Sequence, residues 1–134
     1  MKDQRQLLSE VKTIASNKIE ALAYVPINSP WFLGHFPNEP ILPGIALIDL
    51  TQQAIIEDSA ARGEEIIFEE LKRVRFTGPV RPGESLKVNI TCEEAGEKTL
   101  FAFKVAHEEN IVCSGQIVAK KKKINKFIKE EEDA

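Results

Sequence analysis

Histidine is scarce in this chain: His35 and His107 are the only two among 134 residues. Cysteine is as scarce, with Cys92 and Cys113 alone. Two cysteines cannot form a disulfide scaffold or a cysteine-rich zinc site. They read as buried thiols of a reducing compartment rather than as a cross-strand disulfide. A basic excess is missing too. The net charge is -3 and the pI about 5.5, which excludes a general nucleic-acid binder. No apolar run approaches the roughly 20 residues that span a bilayer, so no stable membrane insertion is expected. The first residues, "MKDQRQLLSEVKTIASNK", contain neither an apolar h-region nor a small-residue cleavage site. No signal peptide is therefore expected, and the expected location is cytoplasmic.

What is present describes a packed domain. Hydrophobic residues make up 43% and charged residues 29%, enough of the former for a core. One domain over residues 1–134 is expected, with a loose, charged tail from about 124 to 134. Leu7, Leu8, Val11 and Ile14 recur at helical spacing and predict a short N-terminal helix over 4–15. Residues 18–26 alternate and predict a strand. The segment "INSPWFLGHFPNEPILPG" follows, stiffened by Pro30, Pro37, Pro40 and Pro43, each of which restricts itself and its predecessor. Pro43 suits the start of a helix. The stretch "GIALIDLTQQAIIEDSAARG" predicts one of roughly five turns ending near Gly63. Strands are expected over 66–77, 84–94, 98–107 and 111–122, joined by breaks such as "AGEK" and "EEN". Short connections imply antiparallel pairing of consecutive strands. The resulting class is α+β, a curled antiparallel sheet around one buried helix.

Within that helix Asp49 sits among Ile45, Leu47, Ile48 and Leu50. At 1.5 Å per residue it lies about 7.5 Å beyond Gly44. Gln53 follows one turn later on the same face, either positioning Asp49 or serving as an ordinary polar helix residue. His35, on the proline-rich loop, reads alone as a turn residue. Together with an amide at a helix start and a carboxylate below it, it becomes a candidate base.

The segment "GHFPNEPILPGIALIDLTQQ" resembles the active-site segment of the 3-hydroxyacyl-[acyl-carrier-protein] dehydratases of fatty acid synthesis. His35-Phe36-Pro37, Pro40, Pro43-Gly44, Asp49 and Gln53 match with their spacing intact. The segment "VRFTGPVRPGESL" also resembles that family's strand-break-strand region. The resemblance implies a hotdog fold and a dimer, or a larger assembly of dimers. His35 would there meet Asp49 of the other protomer. It implies His35 as the base at the carbon next to a thioester carbonyl, Asp49 as the acid that releases the β-hydroxyl as water, and the Gly44 amide as donor to the thioester oxygen. Phe32 and Phe36, with Leu33 and Phe76, would wall the substrate, as would Trp31 unless it serves the core or an interface. No metal and no cofactor are implied beyond the phosphopantetheine on which an acyl carrier protein presents the substrate. An Asp on this helix is similar to the branch that also isomerises the double bond, whereas "HFPNEP" and "LPGIAL" are more similar to the branch that does not.

Two other functions share the fold: an acyl thioesterase using Asp49 to activate water, and a non-catalytic acyl-binding partner subunit. Lys72, Arg73, Arg75, Arg81 and Lys120 to Lys123 form either a carrier-docking patch or a solvated face. His107, in "AHEEN", reads as a hairpin-end residue without chemistry.

Overall fold

The computed structural model describes residues 6–32 and 40–124. In chain order the elements are β1 (Leu8–Ala15), β2 (Lys18–Tyr24), a 3-10 turn (Pro30–Phe32), α1 (Gly44–Ala61), β3 (Glu64–Phe76), β4 (Ser85–Ala95), β5 (Lys98–His107) and β6 (Asn110–Lys123). The six strands form one antiparallel sheet in the order β1-β2-β4-β5-β6-β3.

The sheet encloses one side of α1. Alternation along β4 and β5 turns Leu86, Val88, Ile90, Phe101, Phe103 and Val105 inward. These meet Leu47, Leu50, Ala54 and Ile55 of the helix in a single core. Each large apolar side chain so buried contributes about 1.5–3 kcal/mol. Pro43, extended at φ -61° and ψ 144°, precedes the first turn of α1. The helix closes through Gly63, whose φ of 73° is open to glycine and strained for most other residues.

Two expectations are corrected. Residues 8–15 form a strand, not a helix. Leu8 pairs with Ala23 while Glu10 pairs with Leu22, so the ladder carries an extra residue at Ser9. That bulge returns Leu8 and Val11, three apart, to the core face and imitates a helical period. Strands β3 and β4 are consecutive but do not pair; β3 lies beside β6, with Phe76 opposite Cys113. The connection, residues 77–84, contains Pro79 and Pro82 and crosses the sheet instead of turning back. The tail lies outside the described residues beyond Ile124. No helix among the described residues is long and apolar enough to cross a membrane.

Candidate active site

The connection 77–84 anchors both ends of the proline-rich loop. Val25 donates its N–H to Glu84 O at 2.9 Å and accepts from the Gly83 N–H at 2.7 Å. Leu42 donates to Val80 O at 2.7 Å. Val25, Leu42 and Val80 are buried. The loop is therefore pinned where it leaves β2 and where it enters α1, by backbone hydrogen bonds in apolar surroundings. His35 and Phe36 fall in residues 33–39, outside the described residues.

Before that segment, Trp31 and Phe32 occupy the 3-10 turn, with Phe32 N–H donating to Ser29 O at 3.1 Å. Both rings are half-buried and pack against the core, so at least one face of each belongs to the interior. Gly44 opens α1. A Cβ there would lie 2.7 Å from Cε1 and Cζ of Phe76, so the ring sits directly on the glycine. The Gly44 N–H has no acceptor among the described residues. It is one of the first-turn donors that make up the positive end of the helix dipole.

Asp49 is half-buried. Ile45, one turn before it, is 62% exposed, and Ile56, two turns beyond, is 40% exposed. Gln52 and Gln53 are half-buried on the same side, and Asp49 and Gln53 make no hydrogen bond to each other. At 100° per residue these positions fall on one face of α1. The face opposite it packs on the sheet. The helix is thus apolar over most of its surface, and a mixed stripe, with Ile45 and Ile56 flanking Asp49, Gln52 and Gln53, is left uncovered in the single chain.

The stripe ends in a groove of about 620 Å³ lined by Ile56, Ala60, Ile66 and Ile124, with Glu64 and Lys123 at its margin. Asp49 stands outside this groove, farther up the same face. Of the two edge strands of the sheet, β1 and β3, it is β3 that lies beside the stripe. It is 13 residues long and exposes Ile67, Leu71 and Phe76. A long edge is a template for another strand, and the seven charged residues of β3 restrict which strand can pair with it.

The buried carboxylate of α1 is not Asp49 but Asp58, 5% exposed. It accepts from Thr13 Oγ1 at 2.5 Å and from Arg62 Nε at 3.1 Å. Arg62 reaches on to Ser16 O at 3.2 Å. This cluster fastens β1 to the helix end and faces away from the stripe. The Asp58 and Arg62 spacing was visible in the sequence. Thr13 was not, because residues 4–15 read as a helix.

Neither thiol is placed for nucleophilic chemistry. Burial pushes Cys113 up to about 11. Burial also raises Cys92, against a smaller opposing effect of Lys121. The thiolate is the reactive form, and both sites disfavour it. His107 lies 3.4 Å from Glu84 Oε2 through Nδ1, at the β5–β6 hairpin. No group of three or more His, Cys, Asp or Glu side chains able to hold a metal occurs among the described residues.

The ApeI-like family model, described as ApeI dehydratase, matches residues 11–116. A 3-hydroxyacyl-[acyl-carrier-protein] dehydratase FabZ from Syntrophobacter fumaroxidans is 34% identical over 119 residues, covering 84% of this chain and 81% of its own. Among solved structures, the dehydratase heterocomplex ApeI:P from Xenorhabdus doucetiae is similar with a TM-score of 0.62 at 25% identity, over 86% of this chain and 97% of that one. A putative thioesterase from Lactococcus lactis has a TM-score of 0.73 at 11% identity, over 90% and 96% of the two chains; at that identity the likeness is one of fold. The chain belongs to the 3-hydroxyacyl-[acyl-carrier-protein] dehydratase family of fatty acid biosynthesis, with the hotdog fold.

Proposed function

We propose that the protein removes water from a 3-hydroxyacyl thioester, carried on the phosphopantetheine of an acyl carrier protein, to give the trans-2-enoyl thioester. The observation that carries this reading is the uncovered stripe of α1, with Asp49 midway between exposed Ile45 and Ile56, next to the free edge of β3. A second copy pairing along β3 covers both surfaces at once. It also supplies the missing half of the site, because the loop bearing His35 can then meet Asp49 of the other protomer.

In this reading the His35 imidazole takes the proton from the carbon beside the thioester carbonyl. The electrons of that C–H bond become the new double bond. The C–O bond at the β-carbon breaks, and Asp49, acting as the general acid, delivers a proton to the departing hydroxide, which leaves as water. The imidazolium proton then returns to the carboxylate through solvent, and both groups are reset. The free Gly44 N–H, backed by the helix dipole, holds the carbonyl oxygen while it carries enolate charge. Phe76, lying on Gly44, shields that hydrogen bond from water. Gln53 stands one turn away on the same face and is not hydrogen-bonded to Asp49, so it has no positioning role in this reading.

Hydration of a crotonyl thioester, followed by loss of enoyl absorbance on both carrier protein and coenzyme A, tests the assignment. His35→Ala should lower turnover by about 10²–10⁴-fold, the usual contribution of a general base. Thiol release without enoyl chemistry would instead identify a thioesterase. A folded His35→Ala variant with full turnover would overturn the reading.

A further inference from the structure

The outer face of the sheet carries a second feature, away from α1. Lys104 stands between inward-facing Phe103 and Val105, and Asn89 between Val88 and Ile90, so both project on the opposite side. In register, Arg75, Ser114, Lys104 and Asn89 form one row across β3, β6, β5 and β4. Gln116 stands in the next row. These residues and Arg73 line a groove of about 480 Å³ that contains no carboxylate.

Three observations separate this groove from an ordinary solvated face. First, its cations make no ion pair within the single chain. On the same sheet, Lys87 lies 3.6 Å from Glu20, Lys98 lies 3.2 Å from Glu69, and Lys72 lies 3.9 Å from Glu70. Arg73, Arg75 and Lys104 have no carboxylate within 4.0 Å among the described residues. Arg75 and Lys104 are exposed and two strands apart, about 10 Å, so their mutual repulsion is largely screened at ordinary ionic strength and is felt only at low salt. Second, Arg73 has a φ of 52°, a left-handed conformation that a non-glycine residue adopts at a cost. The ladder slips by one residue between Lys72 and Arg75. Val74 turns inward against Gly115, and the arginines on either side of it line the groove. Third, neutral donors and acceptors (Asn89, Ser114, Gln116) line the floor, and the volume falls in the range of small-molecule sites.

We infer that this groove binds a small diphosphate-bearing molecule, of the size of a nucleoside diphosphate. Two guanidinium forks and one ammonium match the charge and oxygen geometry of a diphosphate. The site lies on the face of the sheet opposite Gly44 and Asp49 and does not depend on the dehydratase chemistry.

Isothermal titration of the full chain with inorganic pyrophosphate, and separately with ADP, at low ionic strength tests it. Saturable one-to-one binding that weakens as salt is raised is expected. Arg75→Gln should weaken pyrophosphate at least tenfold. Arg73→Gly, which removes the charge and relieves the backbone, should also lose affinity while its melting temperature stays the same or rises. Lys98→Gln, whose partner lies outside the groove, should bind like the unaltered chain. The inference is overturned if neither probe binds at millimolar concentration, or if both arginine variants bind as well as the unaltered chain. It is equally overturned if only an acidic protein, and neither small molecule, engages these residues.

Discussion

At the scale of single residues, two positions show how tightly the inside is fitted. A Cβ on Gly115 would lie 2.9 Å from Cζ of Phe103 and 3.1 Å from Cγ2 of Val74. Phe103 is buried and cannot swing clear. Gly115→Ala should therefore cost about 1–3 kcal/mol, the usual penalty of overpacking, read as a lower denaturant midpoint with an unchanged slope. Gly44 faces the same kind of contact, but the Phe76 ring is 55% exposed and can rotate away. Its substitution should harm catalysis more than stability. Asp58 makes the opposite case. Asp58→Ala leaves the Thr13 hydroxyl and the Arg62 Nε–H without their acceptor, while Arg62 keeps its bond to Ser16 O. Arg62 is 31% exposed, so water recovers part of the loss. A destabilisation of about 1–3 kcal/mol is expected by equilibrium unfolding, with turnover per folded molecule unchanged.

At the scale of elements, the strands and the helix were legible wherever period and punctuation agreed. Proline before Gly44, glycine after Arg62 and strict alternation in β4 and β5 place those elements within a residue or two. The short β1 was misread because its bulge at Ser9 gives the inward residues a spacing of three. Only pairing with β2, a non-local interaction, decides the outcome there. The pairing of β3 with β6 was hidden for a related reason: nothing local in residues 77–84 says that this segment crosses the sheet. The sequence also marked that segment as a motif without revealing its task, which is to hold Val25 and Leu42 and so both ends of the loop carrying His35. Asp49 was legible as a candidate, but its half-exposed stripe was not, since a helix apolar on nearly all sides reads as fully buried. The edge strand offers a direct test. Ile67 and Leu71 are 51% and 45% exposed on β3. Placing a charge there by Leu71→Glu should block edge pairing between protomers. Sedimentation should show a smaller species than the unaltered chain, and turnover should fall with it. An unchanged assembly would remove β3 as the interface.

At the scale of the whole molecule, the core couples stability to pH through a thiol. Cys113 is fully buried opposite Phe76, and its pKa is pushed up from 9.0 to about 11 by desolvation. The folded state keeps its proton in a range where the unfolded chain loses it. The stability tied to this thiol is thus complete below about pH 9 and declines as pH rises from there towards 11. Denaturant titrations at pH 8 and pH 10.5 should show a loss that is smaller in Cys113→Ala, although that variant is less stable at both. The larger claim is that one chain holds only half of each catalytic pair. Mixing His35→Ala chains with Asp49→Asn chains, after unfolding and refolding together, tests it most directly. Each variant alone should be nearly inactive. The mixture should recover about a quarter of the unaltered activity, because about half the dimers are mixed and each carries one intact composite site. A mixture shown by native mass spectrometry to contain mixed dimers, yet as inactive as its parents, would contradict the shared site.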